Sequence, residues 1–89
     1  MRVEYLPTFL KDLSKLKSIS TYSAIRKLAF EEMLDYPSLQ EVRNLKKLKG
    51  SDIAYRIRIG DYRVGFFFEN ETVTFARVLH RSKIYRSFP

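Results

Sequence analysis

The sequence predicts an α+β fold in which two helices pack on one face of a small, mostly antiparallel sheet. Three observations carry this expectation. Apolar residues recur every three or four positions between Phe9 and Met33, then every second position between Tyr55 and Phe68. Those are the periods of a helix face and a strand face. Pro7 and Pro37 bracket the helical stretch, and Gly60-Asp61 separates two alternating runs at the spacing of a tight hairpin.

In chain order, Met1 to Leu6 reads as a short strand, with Val3 and Tyr5 alternating against Arg2 and Glu4. Pro7 ends it, because its fixed φ suits the first turn of a helix. A helix follows from Thr8 to Lys17, with Phe9, Leu13 and Leu16 on its apolar face and Lys11, Asp12, Lys15 and Lys17 on its surface. Ser18 to Thr21 forms a turn in which Ser20 or Thr21 can cap the next helix. That second helix runs from about Tyr22 to Asp35, with a stripe of Tyr22, Ile25, Ala29 and Met33 widened by Leu28 and Tyr36. Pro37 stops it, since the residue before proline is driven from helical geometry. So short a turn makes the two helices an antiparallel hairpin.

Residues 37–53 are expected to form an extended connector. Leu39, Val42, Leu45 and Leu48 recur every three positions, which fits neither a helix nor a strand, and the segment ends in the basic run Lys46-Lys47-Leu48-Lys49-Gly50. Beyond it, Tyr55, Ile57 and Ile59 form a buried strand face while Arg56 and Arg58 face the other way. Gly60 first in the turn is the type II′ signal. On the return strand Tyr62, Val64, Phe66 and Phe68 continue the buried face, with Arg63, Gly65 and Phe67 opposite. Asn70 occupies the next turn. A last strand spans about Thr72 to Leu79, and its alternation breaks at Arg77, which predicts a bulge before Val78. The order is β-α-α-β-β-β, expected as one domain over residues 1–89.

Composition narrows the function. Apolar residues make up 45% and charged residues 30% of the chain, the balance of a folded protein and not of a disordered one. The longest apolar run, Val64 to Phe68, is far too short for a membrane span, and the opening residues, with Arg2 and Glu4, are not expected to form a leader. There is no cysteine and one histidine, His80, so thiolate chemistry and multi-histidine or cysteine metal sites are excluded and a cytoplasmic location is expected. No Gly-rich phosphate loop, nucleophile elbow or paired-carboxylate motif occurs. No metal or other cofactor is expected.

Charge supplies the positive clue. The net charge is +7, and residues 45–89 carry ten basic against four acidic residues, whereas residues 1–44 carry seven against six. Arginine accounts for six of those ten cations. Such concentration points to an anionic partner. Alternation puts Arg56, Arg58 and Arg63 together on the sheet face away from the helices, and Arg81 and Tyr85 leave the last strand where they can close over it. Guanidinium forks bind phosphate oxygens in pairs and keep their charge at any useful pH. On a phosphodiester they would hold the backbone and stabilise charge developing at phosphorus. If the substrate is RNA, its own 2′-hydroxyl serves as nucleophile. The plain alternative is a cationic face that only binds nucleic acid. A lone histidine at a strand end is more often a structural hydrogen-bonder than a base, which sets the reading of His80; Tyr85 reads equally as a rim packing residue, and Lys46, Lys47 and Lys49 as a solvated loop or a grip on outlying phosphates.

Three stretches carry a family resemblance: Lys47-Leu48-Lys49-Gly50, then Tyr55-Arg56-Ile57-Arg58-Ile59-Gly60-Asp61-Tyr62-Arg63-Val64, and Val78-Leu79-His80-Arg81-Ser82-Lys83-Ile84-Tyr85. Together they resemble the RelE/ParE superfamily of bacterial and archaeal toxins. The resemblance implies a microbial RNase-like, RelE-like fold. It further implies a ribosome-dependent messenger-RNA endonuclease, cutting in the A site by 2′-hydroxyl attack without a metal and leaving a cyclic phosphate. It places Arg56 and Arg58 among the family's central-strand basic residues, Arg63 at its phosphate-stabilising arginine, and Arg81 and Tyr85 at its C-terminal arginine and tyrosine. Lys46, Lys47, Lys49, His80 and Lys83 join as RNA-binding candidates. An acidic, RelB-like antitoxin is the implied partner, in a hetero-oligomer. Where relatives often carry lysine at positions 56 and 58, this chain has arginine, which cannot realistically release its proton. The base role then moves to Tyr85, with His80 or Lys83 behind it. ParE-type members share the fold but poison DNA gyrase by protein binding, and a non-catalytic member would bind RNA or antitoxin only. The complete set of four arginines and a tyrosine favours the nuclease.

Overall fold

In the computed structural model, which describes residues 1–89, the sheet has five strands where the sequence pattern predicts four. They are β1 (Arg2–Tyr5), β2 (Leu45–Lys47), β3 (Ala54–Ile59), β4 (Tyr62–Glu69) and β5 (Thr72–His80). Their order across the sheet is β1-β5-β4-β3-β2, with β1 parallel to β5 and every other pairing antiparallel. The α+β class stands, and the correction lies in the connector. Residues 37–53 hold a 3₁₀ turn (Leu39–Glu41) and the edge strand β2.

The period of three in that connector now has a cause. Leu39 lies in a 3₁₀ turn, which has three residues per turn, and Val42 is buried behind it. On a strand, a step of three reverses the face. Leu45 therefore packs against the main core, while Leu48 is buried in a second cluster with Ala54, Ala76, Ile84 and Phe88.

Helix α1 (Pro7–Ser14) is shorter than its apolar pattern, and Leu16 packs against the core from the turn that follows. Helix α2 covers the expected span but not as a regular helix. It starts as Tyr22–Lys27, loosens into a π turn at Leu28–Glu32 and closes with Met33–Asp35. Ile25, Ala29 and Met33 are spaced by four, which overshoots the α-helical period. The π turn, with its i→i+5 bonds, holds more residues per turn and keeps all three fully buried. Tyr5 Oη donates a 2.7 Å bond to the Ala29 carbonyl inside this turn.

Both helices cover the same face. Phe9 and Leu13 of α1 join Ile25, Leu28, Ala29 and Met33 of α2 over Ile57, Val64, Phe66, Val73, Phe75 and Val78 of the sheet. Asp12, which the helical pattern puts on the surface, is buried instead. Its carboxylate takes Arg77 Nε at 2.7 Å and Nη2 at 3.1 Å, and the Val78 backbone N–H at 3.1 Å. This pins α1 to the edge of β5 just past the last residue paired with β1. The bulge expected near Arg77 is present one residue earlier: Gly65 pairs with Arg77 and Phe66 with Phe75, leaving Ala76 as the extra residue.

Both hairpins follow their turn residues. Gly60 takes φ +58° between the paired Ile59 and Tyr62, and Asn70 and Glu71 both take positive φ, the pattern of a type I′ turn. After β5 the chain forms a short C-terminal helix, Ile84–Ser87, that folds back over the second sheet face.

Candidate active site

The sheet face away from α1 and α2 is divided. One part is apolar and covered, with Phe67 and Leu79 packed against the Leu48, Ala54, Ala76, Ile84 and Phe88 cluster. The rest is the cationic strip. Register fixes its layout: Lys46 pairs with Arg56, Arg56 with Gly65, and Arg58 with Arg63. Directly paired side chains on an antiparallel sheet are about 5 Å apart at Cβ, so Lys46, Arg56, Arg58 and Arg63 form a continuous patch over three strands.

Each arginine is oriented by neutral oxygen atoms. Arg56 Nη1 donates to the Asn44 carbonyl at 2.8 Å, and Arg58 Nη2 donates to Asn44 Oδ1 at 3.2 Å. The Nε of Arg56 is buried with no partner, an expense that folded proteins keep at few places. Arg63 Nη1 folds back onto its own hairpin, donating to the Gly60 and Tyr62 carbonyls at 3.0 Å each. Arg81 reaches the same turn from the end of β5. Its backbone N–H donates to the Asp61 carbonyl at 2.7 Å, and its exposed Nε lies 3.9 Å from Asp61 Oδ1. That loose pair and Asp12–Arg77 are the two ion pairs of the protein. Asp12 hydrogen bonds are also what raise the pKa of Arg77 and hold it charged.

The C-terminal helix brings Tyr85 to the far end of the strip. With Lys46, Leu48, Lys49, Phe88 and Pro89, it lines an open notch of about 340 Å³. The tyrosine is 56% exposed, so its hydroxyl is free to meet a ligand. What holds this helix down is Phe88, 3% exposed, whose ring lies on Gly65 of β4. Neither Phe88 nor Gly65 signals this contact in the sequence, because nothing local marks a C-terminal residue that returns to a strand.

Not every candidate gathers here. Lys47 pairs with Tyr55 and His80 with Tyr62, and both tyrosines pack against the helix-side core. These two candidates therefore sit on the opposite face from the arginines. The His80 ring stands edge-on to Tyr62 at 5.5 Å. Its Nδ1 accepts the Ser82 backbone N–H at 3.1 Å and lies 2.9 Å from Ser82 Oγ, so in the neutral ring the proton is on Nε2. Lys83 is exposed at the start of the C-terminal helix. Asn44, which orients two of the arginines, is absent from the sequence-derived set. Its only prior signal is asparagine's tolerance of left-handed backbone.

No three His, Cys, Asp or Glu side chains converge on a possible metal position. The arrangement suits a ligand with repeating negative charge: paired forks along β3 and β4, two arginines at the hairpin turn, and a phenol between two lysines.

Comparison with known proteins identifies the family. Residues 3–85 match the family described as the ParE toxin of the type II toxin-antitoxin system parDE. The chain is 42% identical over 91 residues to toxin RelE3 of Methanocaldococcus jannaschii, covering all of both chains. In the crystal structure of the RelB–RelE antitoxin–toxin complex from Methanococcus jannaschii, a chain 38% identical superposes with a TM-score of 0.77, over 97% of this chain and 99% of that one. A chain of the RelBE2 toxin–antitoxin complex from Mycobacterium tuberculosis, 28% identical, superposes with a TM-score of 0.66, over 90% and 96%. Fold and sequence identity converge, and the chain belongs to the RelE/ParE superfamily of toxins from type II toxin–antitoxin systems.

Proposed function

We propose that this protein is a metal-independent endoribonuclease that cuts messenger RNA in the ribosomal A site and is neutralised by an acidic, RelB-like antitoxin. One observation carries the reading: Arg56, Arg58 and Arg63 are juxtaposed by strand register, oriented by carbonyl and amide oxygens, and left without carboxylate partners. Their charge is free for a phosphodiester.

In the proposed reaction Arg56 and Arg58 grip the backbone and turn the ribose 2′-hydroxyl in line with the scissile bond, which supplies much of the rate. Tyr85, entering the step as its phenolate, takes the 2′-hydroxyl proton as the new O–P bond forms and returns it to solvent after the cut. Arg63, with Arg81 beside it, stabilises the charge that builds on the phosphoryl oxygens. The P–O5′ bond breaks, a proton from solvent completes the 5′-hydroxyl, and a 2′,3′-cyclic phosphate remains. Lys46 and Lys49 hold flanking phosphates, adding affinity that falls with salt.

The antitoxin proposal has two supports. Relatives with the same fold are seen in RelB–RelE complexes, and a strip of unneutralised arginine is the surface an acidic chain would cover.

Primer extension on a defined messenger RNA in EDTA, with and without programmed ribosomes, tests the nuclease. New 5′ ends at the A-site codon, appearing only with ribosomes, are expected. Folded protein that produces no ends under either condition refutes the reading, and a gyrase supercoiling assay then tests the ParE-type activity.

A further inference from the structure

Asn44 stands immediately before β2 with φ +60°, a conformation open to asparagine at small cost and closed to most side chains. Turned this way, the residue faces β3 with two oxygens. Its carbonyl accepts the Arg58 backbone N–H at 3.1 Å and Arg56 Nη1 at 2.8 Å. Its side-chain Oδ1 accepts Arg58 Nη2 at 3.2 Å. The backbone bond closes the edge of the sheet; the other two act only on guanidinium groups.

We propose that Asn44 is a positioning residue that aims Arg56 and Arg58 at the substrate phosphates, an inference that rests on the ribonuclease reading. The choice of side chain fits the task. A carboxylate would hold the same guanidinium more strongly but would cancel its charge, whereas an amide oxygen fixes direction and leaves the charge in place. Arg58 is exposed, so without this bond a long, flexible side chain would sample many rotamers.

The role separates cleanly by substitution. Asn44→Gly keeps the left-handed backbone and both carbonyl bonds and removes only Oδ1. Asn44→Asp keeps the backbone and an acceptor at the same place. The expected result for Asn44→Gly is an unchanged melting temperature, KM within about twofold, and kcat lowered about tenfold, the scale of a misplaced binding group. In an Arg58→Ala background the same change should have no further effect, because the group it aims is gone. Nitrogen-detected NMR of the arginine side chains reads the geometry without catalysis. Arg58 should be ordered in the parent protein and in Asn44→Asp, and mobile in Asn44→Gly. A parental kcat in Asn44→Gly overturns the proposal, and so does an equal loss in both backgrounds, which would make the effect one of fold. If the parent protein cuts no RNA, the ribonuclease reading fails by itself. In that case an Arg58 signal as mobile in the parent as in Asn44→Gly overturns the positioning role separately.

Discussion

Gly65 lies in β4 directly under the ring of Phe88, and a methyl group there tests how the C-terminal helix is held. A Cβ at this position would fall 2.6, 2.8 and 2.9 Å from Phe88 Cδ2, Cε2 and Cγ. Carbon atoms pack best at about 3.5–4.0 Å, so Gly65→Ala obliges the ring to move. Two routes bound the penalty. If the ring shifts within its site and its surroundings strain, an overpacked site costs about 1–3 kcal/mol. If the helix lifts away, Phe88 loses the burial worth about 1.5–3 kcal/mol for a large apolar side chain. The cheaper route wins, and a loss of about 2 kcal/mol is expected, roughly 8–16 °C in melting temperature for a domain of this size. The fold should survive, because Phe88 and Gly65 are outside the main core of Phe9, Phe66 and Phe75.

Function should suffer more than stability, since Tyr85 rides on the helix that Phe88 anchors. Thermal unfolding gives the stability, chymotrypsin cutting at Tyr85 reports release of the helix, and ribosome-dependent cleavage reports the site. Faster proteolysis with at least a tenfold slower cleavage is expected. Adding Gly65→Ala to Phe88→Ala should do no further harm, because the ring it strikes is gone. A Gly65→Ala protein with parental melting temperature and a protected C-terminus would refute the reasoning.

Four other outcomes follow from the same structure. Asp12→Ala strips Arg77 of its carboxylate and leaves the Val78 N–H unpaired. Arg77 is 29% exposed, so a loss of about 2–3 kcal/mol is expected, below that of a fully buried pair; an unshifted urea midpoint would contradict it. Arg63→Ala should slow cleavage by roughly 10²–10³, as loss of one preorganised donor does, with normal rates in primer extension sinking that role. Tyr85→Phe should keep fold and ribosome binding but lose turnover, and unchanged kinetics would pass the proton to solvent. Burial raises the pKa of Tyr5 above its ordinary value, so the unfolded chain loses this proton first. Stability should therefore fall as pH rises from about 10 through the raised value. Tyr5→Phe should abolish that fall, at a cost of about 1 kcal/mol at neutral pH for the lost bond to Ala29; an alkaline unfolding curve that keeps the same slope would refute the assignment.

Much of this architecture was legible because strand alternation is a local signal. Ile57, Val64 and Phe66 declare one face and Arg56, Arg58 and Arg63 the other with no tertiary information. Signals that depend on partners distant in the chain were silent. Asp12 looks like one more charge on a helix surface until Arg77, sixty-five residues away, arrives beside it. Leu45 and Leu48 look like a failed period because each belongs to a different core. Lys47 and His80 are chemically apt for an RNA site, yet register turns them to the other face, and proximity in sequence to Lys46 and Arg81 could not reveal that.

The two kinds of arginine in this protein show how one residue type is given opposite duties. Arg77 meets a buried carboxylate through two hydrogen bonds, and its charge is spent on docking α1 to β5. Arg56, Arg58 and Arg63 meet only carbonyl and amide oxygens. Arg58 and Arg63 even stand opposite each other across β3 and β4, a like-charge pairing that destabilises a sheet. A fold selected for stability alone would place a glutamate at one of those positions. Neutral acceptors at Asn44, Gly60 and Tyr62 hold the guanidinium groups still while leaving their field intact. Such a surface gains stability only when an anion arrives. On the proposed reading, an RNA backbone and an acidic antitoxin would therefore compete for the same uncompensated charge, and binding either one would offset the repulsion between Arg58 and Arg63.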